Sequence, residues 1–374
     1  MMANTENRLG EIDIFRALAI FLVIGFHYAN RWTPPYYDIS LYPYDSVYAE
    51  WTIFKYGYLG VELFFIVSGF VIALTLERCG GLFEFAVRRL ARLWPAMIVC
   101  SLITIAFIHL IAPVEPFQSM ANSASLLPSW TFSTPFFWKS MFPTASYVDG
   151  AYWSLFVEAK FYFWAAIIYF TLRARFTEAF FVFCAVSLLI SVLSQYANIG
   201  IASSLDRYVL FGEYAMLFCA GTLFWQIYNH RGAKTPSHII MIILAFLLEN
   251  ISLHLHAKPS FNPWIMTAFV TVFFAMFAGF VFGIKLPRGR VFTALSMVGL
   301  ASYPLYLLHQ HIGVAVIRQF VPADSSIGAL AVILVLIAGL IAVSHLIHRH
   351  VESSGKDIVM VALRAQRRLL AQWT

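Results

Sequence analysis

The sequence predicts an all-α, polytopic integral membrane protein with about ten transmembrane helices and cytoplasmic N- and C-termini. Three observations carry that expectation. Only 12% of the 374 residues are charged and 60% are hydrophobic, whereas an ordinary soluble domain is roughly 25% charged. Apolar runs of about 20 residues, enough to cross a hydrocarbon core about 30 Å thick, recur along the chain. Lys and Arg are also unequally shared between alternate connecting segments, which marks the cytoplasmic side of a membrane protein.

The apolar runs fall near 12–29, 58–77, 93–112, 151–171, 178–193, 209–228, 238–253, 264–284, 293–317 and 326–347. The first reads as a retained helix rather than a cleaved signal, because Arg16 interrupts it and no small-residue cleavage site follows. With the N-terminus inside, seventeen Lys and Arg fall in inner segments and six in outer loops, while Arg16 and Lys160 lie within spans. A bias of about three to one fits ten spans and cytoplasmic termini. The net charge of +6 therefore reads as loop topology, and no nucleic-acid partner is expected.

No repeat or low-complexity linker divides the chain, so residues 8–348 are read as one membrane domain. Residues 349–374 follow as a basic amphipathic tail lying on the inner surface, with no chemistry assigned to it. The long loops 30–57 and 113–150 both fall outside and are rich in Tyr, Trp, Phe and Pro. Their aromatics read first as interfacial anchors and second as platforms for sugar rings. The cysteines at 79, 100, 184 and 219 form no CxxC pair and read as small core hydrophobes, with no metal site expected.

Ionisable groups inside spans are costly and so are candidate functional residues. Arg16 and His27 are 11 residues apart, about three turns, which puts both on one face of the first helix roughly 16 Å apart. Asp13 is spaced to pair with Arg16. Snorkelling for Arg16 and an interfacial hydrogen bond for His27 are the alternatives. In the fourth span Glu158 lies at a depth similar to His27, which makes the histidine a candidate partner, although another polar group would also serve. Lys160 points elsewhere. Tyr306 and His309 share a face of the ninth span, and His311 reads as its watery end.

At the mouth of the third span, Arg89 and Arg92 face one way with Arg88 beside them. Topology alone accounts for arginines there, yet guanidinium forks also suit phosphate. Ser68 in GVELFFIVSGF permits close helix approach or forms a cavity wall. No Walker A loop, HExxH, GxSxG or paired-cysteine motif is present.

Taken in order, IDIFRALAIFLVIGFHY, GYLGVELFFIVSGFVI, FAVRRLARLWP, AYWSLFVEAKFYF and ASYPLYLLH resemble the segments of the acyltransferase-3 family of membrane O-acyltransferases. The resemblance covers about residues 8 to 348. It implies transfer of an acyl group, usually acetyl, from acyl-CoA to a hydroxyl of a carbohydrate or other acceptor, without a metal. By the same resemblance His27 is the essential first-helix histidine and Arg16 its companion. Arg89 and Arg92 are the arginine pair of the third span, and Glu158 with Trp153 belongs to the WSL-E motif. Tyr306 and His309 belong to YLLH. The extracytoplasmic esterase-like domain of some members is not expected here.

The expected mechanism has Arg16, Arg88, Arg89 and Arg92 binding the CoA phosphates, His27 acting as general base and Glu158 orienting it. Asp13, Ser68, Trp153, Tyr306 and His309 play supporting parts. Expected partners are membrane lipid, a glycan such as exopolysaccharide, O-antigen or a lipid-linked precursor, and polysaccharide-assembly proteins. The expected location is a bacterial inner membrane, with acetyl-CoA the expected donor and succinyl the alternative. Two other functions suit the same residues. A transporter or flippase would use the buried groups as a relay, although no inverted repeat is visible, and an assembly scaffold would need neither Arg16 nor His27.

Overall fold

A computed structural model describes residues 9–197, 199–230, 232, 235–322 and 326–355. Regular structure among them is helical, without a strand. The long helices are α1 (Gly10–Ala29), α2 (Gly60–Glu77), α3 (Leu82–Leu110), α4 (Trp153–Thr171), α5 (Phe176–Tyr196), α6 (Gly200–Tyr208), α7 (Ala215–Asn229), α8 (Thr235–His256), α9 (Pro263–Val281), α10 (Arg290–Leu300), α11 (Ser302–Phe320) and α12 (Ser326–Ile347).

Seven helices among the described residues are long and apolar enough to cross a membrane, or nine if two bent pairs each count as one span. The expectation from the sequence is about ten. The run at 151–171 does form a 19-residue helix, α4, but it is not among those spans. Glu158 and Lys160, together with Trp153, Tyr162, Trp164 and Tyr169, dilute its apolar character. The runs at 178–193 and 238–253 extend into the longer α5 and α8.

The expected run at 209–228 is joined at a sharp bend to the short α6 before it, and the run at 293–317 is itself broken. α6 meets the helix through α7 at 62°, and α10 meets α11 at 72°. The second break has a local cause. A continuous helix would need an N–H at position 304 to bond Leu300, and Pro304 has none; in the first turn of α11 that missing donor costs nothing.

Burial separates an inner group of helices from an outer one. The spans of α1 and α2 are 72% and 83% buried, against 17–39% for α3, α5, α8, α9 and α12. α7 and α11 are also mostly buried. Small residues let the inner helices approach. A Cβ at Gly69 would overlap the Phe218 carbonyl, and one at Gly221 the Ile66 carbonyl, so α2 and α7 touch backbone to backbone. Gly299 meets the Asp13 carbonyl of α1 in the same way.

The 30–57 loop folds back over the end of α1. The last carbonyls of a helix lack intrahelical partners, and here Tyr42 Oη donates to the His27 carbonyl and Tyr44 Oη to that of Tyr28. Trp32, Tyr42, Tyr44 and Tyr56 are consequently buried, which corrects their reading as lipid anchors. Trp51, Phe136 and Phe137 remain exposed. The expected amphipathic tail lies beyond residue 355, outside the described residues, apart from a π-helical turn at His348–Glu352.

Candidate active site

Two cavities lie along α1. The first is lined by Arg16, Ser68, Arg89, Arg92, Glu158 and Tyr162. The second, larger one contains His27, with Trp153, Tyr58 and Tyr214 among its aromatic walls. Tyr306 and Val61 line both and form the partition between them. Arg16 and His27, expected on one face of the first helix, both lie on α1, and each lines its own chamber.

The arginine chamber gathers three guanidinium groups from two helices. Arg16 makes a long contact of 3.4 Å with Asp13 Oδ1, the pairing expected from their spacing. Arg89 donates from one terminal nitrogen to Thr75 Oγ1 at 3.2 Å, while its buried Nε has no hydrogen-bond partner. Arg92 Nε lies 3.6 Å from Glu352 Oε1 on the π-helical turn. A buried unsatisfied donor costs about 1–3 kcal/mol, more when charged, and several guanidinium groups facing one chamber suit an anionic, multidentate ligand.

Two expected site residues sit elsewhere. Arg88 does not line the chamber; its guanidinium donates to Glu84 Oε1 at 2.6 and 2.9 Å, one turn back along α3. Glu158 is not the partner of His27. It accepts from Tyr162 Oη at 2.8 Å and lies within electrostatic reach of Arg92 and Arg16. Depth along a helix is legible in the sequence, but the direction in which α4 faces is not. Tyr162, which also receives a long 3.5 Å contact from Ser68 Oγ, is a site residue that sequence reasoning misses; its signal is the four-residue spacing from Glu158.

The partner of His27 is His309. His309 Nδ1 lies 2.7 Å from the Tyr306 carbonyl, which only accepts, so that nitrogen carries the proton and Nε2 of the neutral ring is an acceptor. His309 Nε2 lies 3.2 Å from His27 Nδ1, which also stands 2.9 Å from the Val23 carbonyl. Both neighbours of His27 Nδ1 accept. The hydrogen-bond network therefore assigns the proton to Nδ1 and leaves a lone pair on Nε2.

α11 is held firmly around this pair. Tyr28 Oη donates to the His309 carbonyl at 2.8 Å, and Tyr306 Oη contacts Ser154 Oγ and the Ala151 carbonyl, both at 2.8 Å. His311 N donates to Asp149 Oδ2 at 2.8 Å, while the Leu307 carbonyl accepts from Tyr152 Oη at 3.0 Å. Residues 307 and 311 are the acceptor and donor that an undisturbed helix would pair with each other. His311 is fully buried and stacked on Phe117 at 4.3 Å, rather than at a watery end. Asp149 and Tyr152 carry no sequence signal as site residues, because their partners are more than 150 positions away.

A histidine pair thus lies in one chamber along α1 and three guanidinium groups in the other; sequence comparison adds an independent observation. An acyltransferase domain, acyltransferase-3, matches residues 9–349. The chain belongs to the acyltransferase-3 family. As a family member with its several apolar helices it is an integral membrane acyltransferase. A peptidoglycan O-acetyltransferase, OatA of Listeria monocytogenes, is 27% identical over 172 residues, 42% of this chain and 24% of that protein. The alignment thus takes in about a quarter of that relative's length. No solved structure matches the chain.

Proposed function

We infer that this acyltransferase moves an acetyl group from acetyl-CoA to a hydroxyl of a carbohydrate acceptor, with His27 as general base, in a bacterial inner membrane. The observation that carries this is the pair of chambers divided by Tyr306 and Val61. In this reading the phosphates of CoA occupy the chamber of Arg16, Arg89 and Arg92 on the cytoplasmic side. The pantetheine arm passes the partition, covering the roughly 16 Å from Arg16 to His27. The acceptor occupies the histidine chamber from the opposite side.

The chemistry then closes simply. His27 Nε2 takes the proton of the acceptor hydroxyl as its oxygen attacks the thioester carbonyl; the C–S bond breaks, and the proton passes to the departing CoA sulfur. His309, together with the Val23 carbonyl, orients the ring and leaves Nε2 as the base, a supporting role in place of the one expected of Glu158. Glu158, with Tyr162, shapes the donor chamber. The similarity to a protein named as a peptidoglycan O-acetyltransferase supports acetyl as the group and a glycan as the acceptor class.

The reaction is tested with the purified protein in nanodiscs, labelled acetyl-CoA and a panel of glycosides. Transfer of label to a hydroxyl by the wild type, and its near loss in folded His27→Ala, is expected. Coenzyme A binding weakened by neither Arg16→Ala nor Arg89→Ala would contradict the donor site.

A further inference from the structure

The histidine chamber also holds a set of polar groups that the transfer chemistry does not use. Glu62 from α2, Glu213 from the turn preceding α7 and Glu249 from α8 all line it, and they stand within electrostatic reach of one another. Glu62 is 5% exposed and Glu249 is 1% exposed. In each, Oε2 is buried with no hydrogen-bond partner. Buried carboxylate oxygens are normally satisfied, and leaving one bare is costly. Two bare acceptors in one chamber point to a ligand that brings donors.

The rest of the chamber narrows the class of ligand. Tyr58 and Phe261 stand 4.6 Å apart and Trp153 and Tyr214 5.7 Å apart, which supplies broad apolar faces. Among the described residues no trio of His, Cys, Asp or Glu, this one included, is arranged to hold a metal ion. Lys258 and Arg31 are the cationic side chains on the lining, and Arg31 is already engaged with the Tyr36 carbonyl at 3.2 Å and over the Trp32 ring. Acceptor oxygens beside flat rings suit a sugar whose hydroxyls donate and whose apolar face stacks. A ligand carboxylate or phosphate would bring further acceptors, and no donors, to the bare oxygens of Glu62 and Glu249.

We propose that Glu62, Glu213 and Glu249 form an acceptor subsite that binds a neutral, hydroxyl-rich sugar ring and rejects anionic sugars. This deepens the functional reading above and rests on its assignment of the histidine chamber to the acceptor. It makes the carboxylates specificity residues, since His27 performs the proton transfer.

Equilibrium binding without donor tests it independently of transfer. Full-length protein in nanodiscs is titrated calorimetrically with p-nitrophenyl glucoside, galactoside and mannoside, with the glucuronide and galacturonide, and with the glucosaminide. At least one neutral glycoside is expected to bind about tenfold or more tighter than its uronide. Glu62→Gln and Glu249→Gln, which keep side-chain shape, are expected to reduce that ratio severalfold. Failure of every neutral glycoside to bind, a uronide or the aminosugar binding tightest, or a ratio unmoved in folded Gln variants overturns the subsite. Coenzyme A binding, measured separately, reports on the arginine chamber, so the two assignments fail by different readouts.

Discussion

His309 Nε2 stands 3.2 Å from Nδ1 of His27, across 282 residues of sequence. Because His309 Nδ1 is held by the Tyr306 carbonyl at 2.7 Å, its Nε2 accepts, and together with the Val23 carbonyl at 2.9 Å it holds the ring of His27 with the proton on Nδ1. Removing it is expected to lower kcat by about 10- to 100-fold, by analogy with other residues that orient a catalytic or ligating histidine. The KM for acetyl-CoA should be unchanged. His309→Gln, which retains a polar group near the His27 ring, is expected to recover part of the loss. Equal kcat in wild type and His309→Ala, measured in nanodiscs, would remove the orienting role.

His27→Ala should cost more, about 10²- to 10⁴-fold in kcat, the usual contribution of a general base. Thermal unfolding in detergent checks that the variant is folded. Normal acetyl transfer by folded His27→Ala would exclude the base assignment.

The arginines are expected to divide into two groups. Arg16→Ala, Arg89→Ala and Arg92→Ala each lose charge-assisted bonds to phosphate, about 1.5–3 kcal/mol, so coenzyme A should bind about 10- to 100-fold more weakly. Arg88→Ala should leave binding near wild type, because Arg88 is committed to Glu84 at 2.6 Å. Calorimetric titration of coenzyme A separates the groups, and a large effect at Arg88 would contradict the chamber's assignment.

Tyr306 forms part of the wall between the chambers. Tyr306→Ala removes that wall and the contacts with Ser154 and Ala151. Hydrolysis of acetyl-CoA without acceptor is expected to rise severalfold as water reaches the thioester, while transfer falls. Thiol release with and without glycoside reads both.

Gly69 and Gly221 let α2 and α7 meet at their backbones. Gly69→Val forces the helices apart and should destabilise the protein by about 1–3 kcal/mol or more, visible as a lower unfolding temperature. An unchanged midpoint would mean that the contact yields without cost.

Part of the site is legible in the amino-acid sequence alone. Arg16 and His27 share one helix, so their spacing fixes a common face and a separation, and the arginines of VRRLARLWP are adjacent enough to suggest a cluster. The azimuth of α4 is not legible, since α4 is polar or aromatic on several sides; depth pairs Glu158 with the histidine, whereas packing places it with the arginines. Arg88 and Arg89 are neighbours in sequence but turn about 100° apart on a helix, and only Arg89 faces the chamber. The break at Ala301 has a signal in Pro304 that an unbroken apolar run obscures. Glu62, Glu213 and Glu249 come from three distant segments and become a group only through packing.

The sidedness of the reaction is the most direct test. Proteoliposomes of uniform orientation, loaded with a membrane-impermeant glycoside on the side of the 30–57 loop, are given acetyl-CoA on either face. Acetylated glycoside is expected only when acetyl-CoA is supplied on the arginine side, opposite the acceptor, and is expected to vanish with Arg89→Ala. Product formed only when donor and acceptor share the loop side would contradict a donor that enters past Arg16 and reacts at His27.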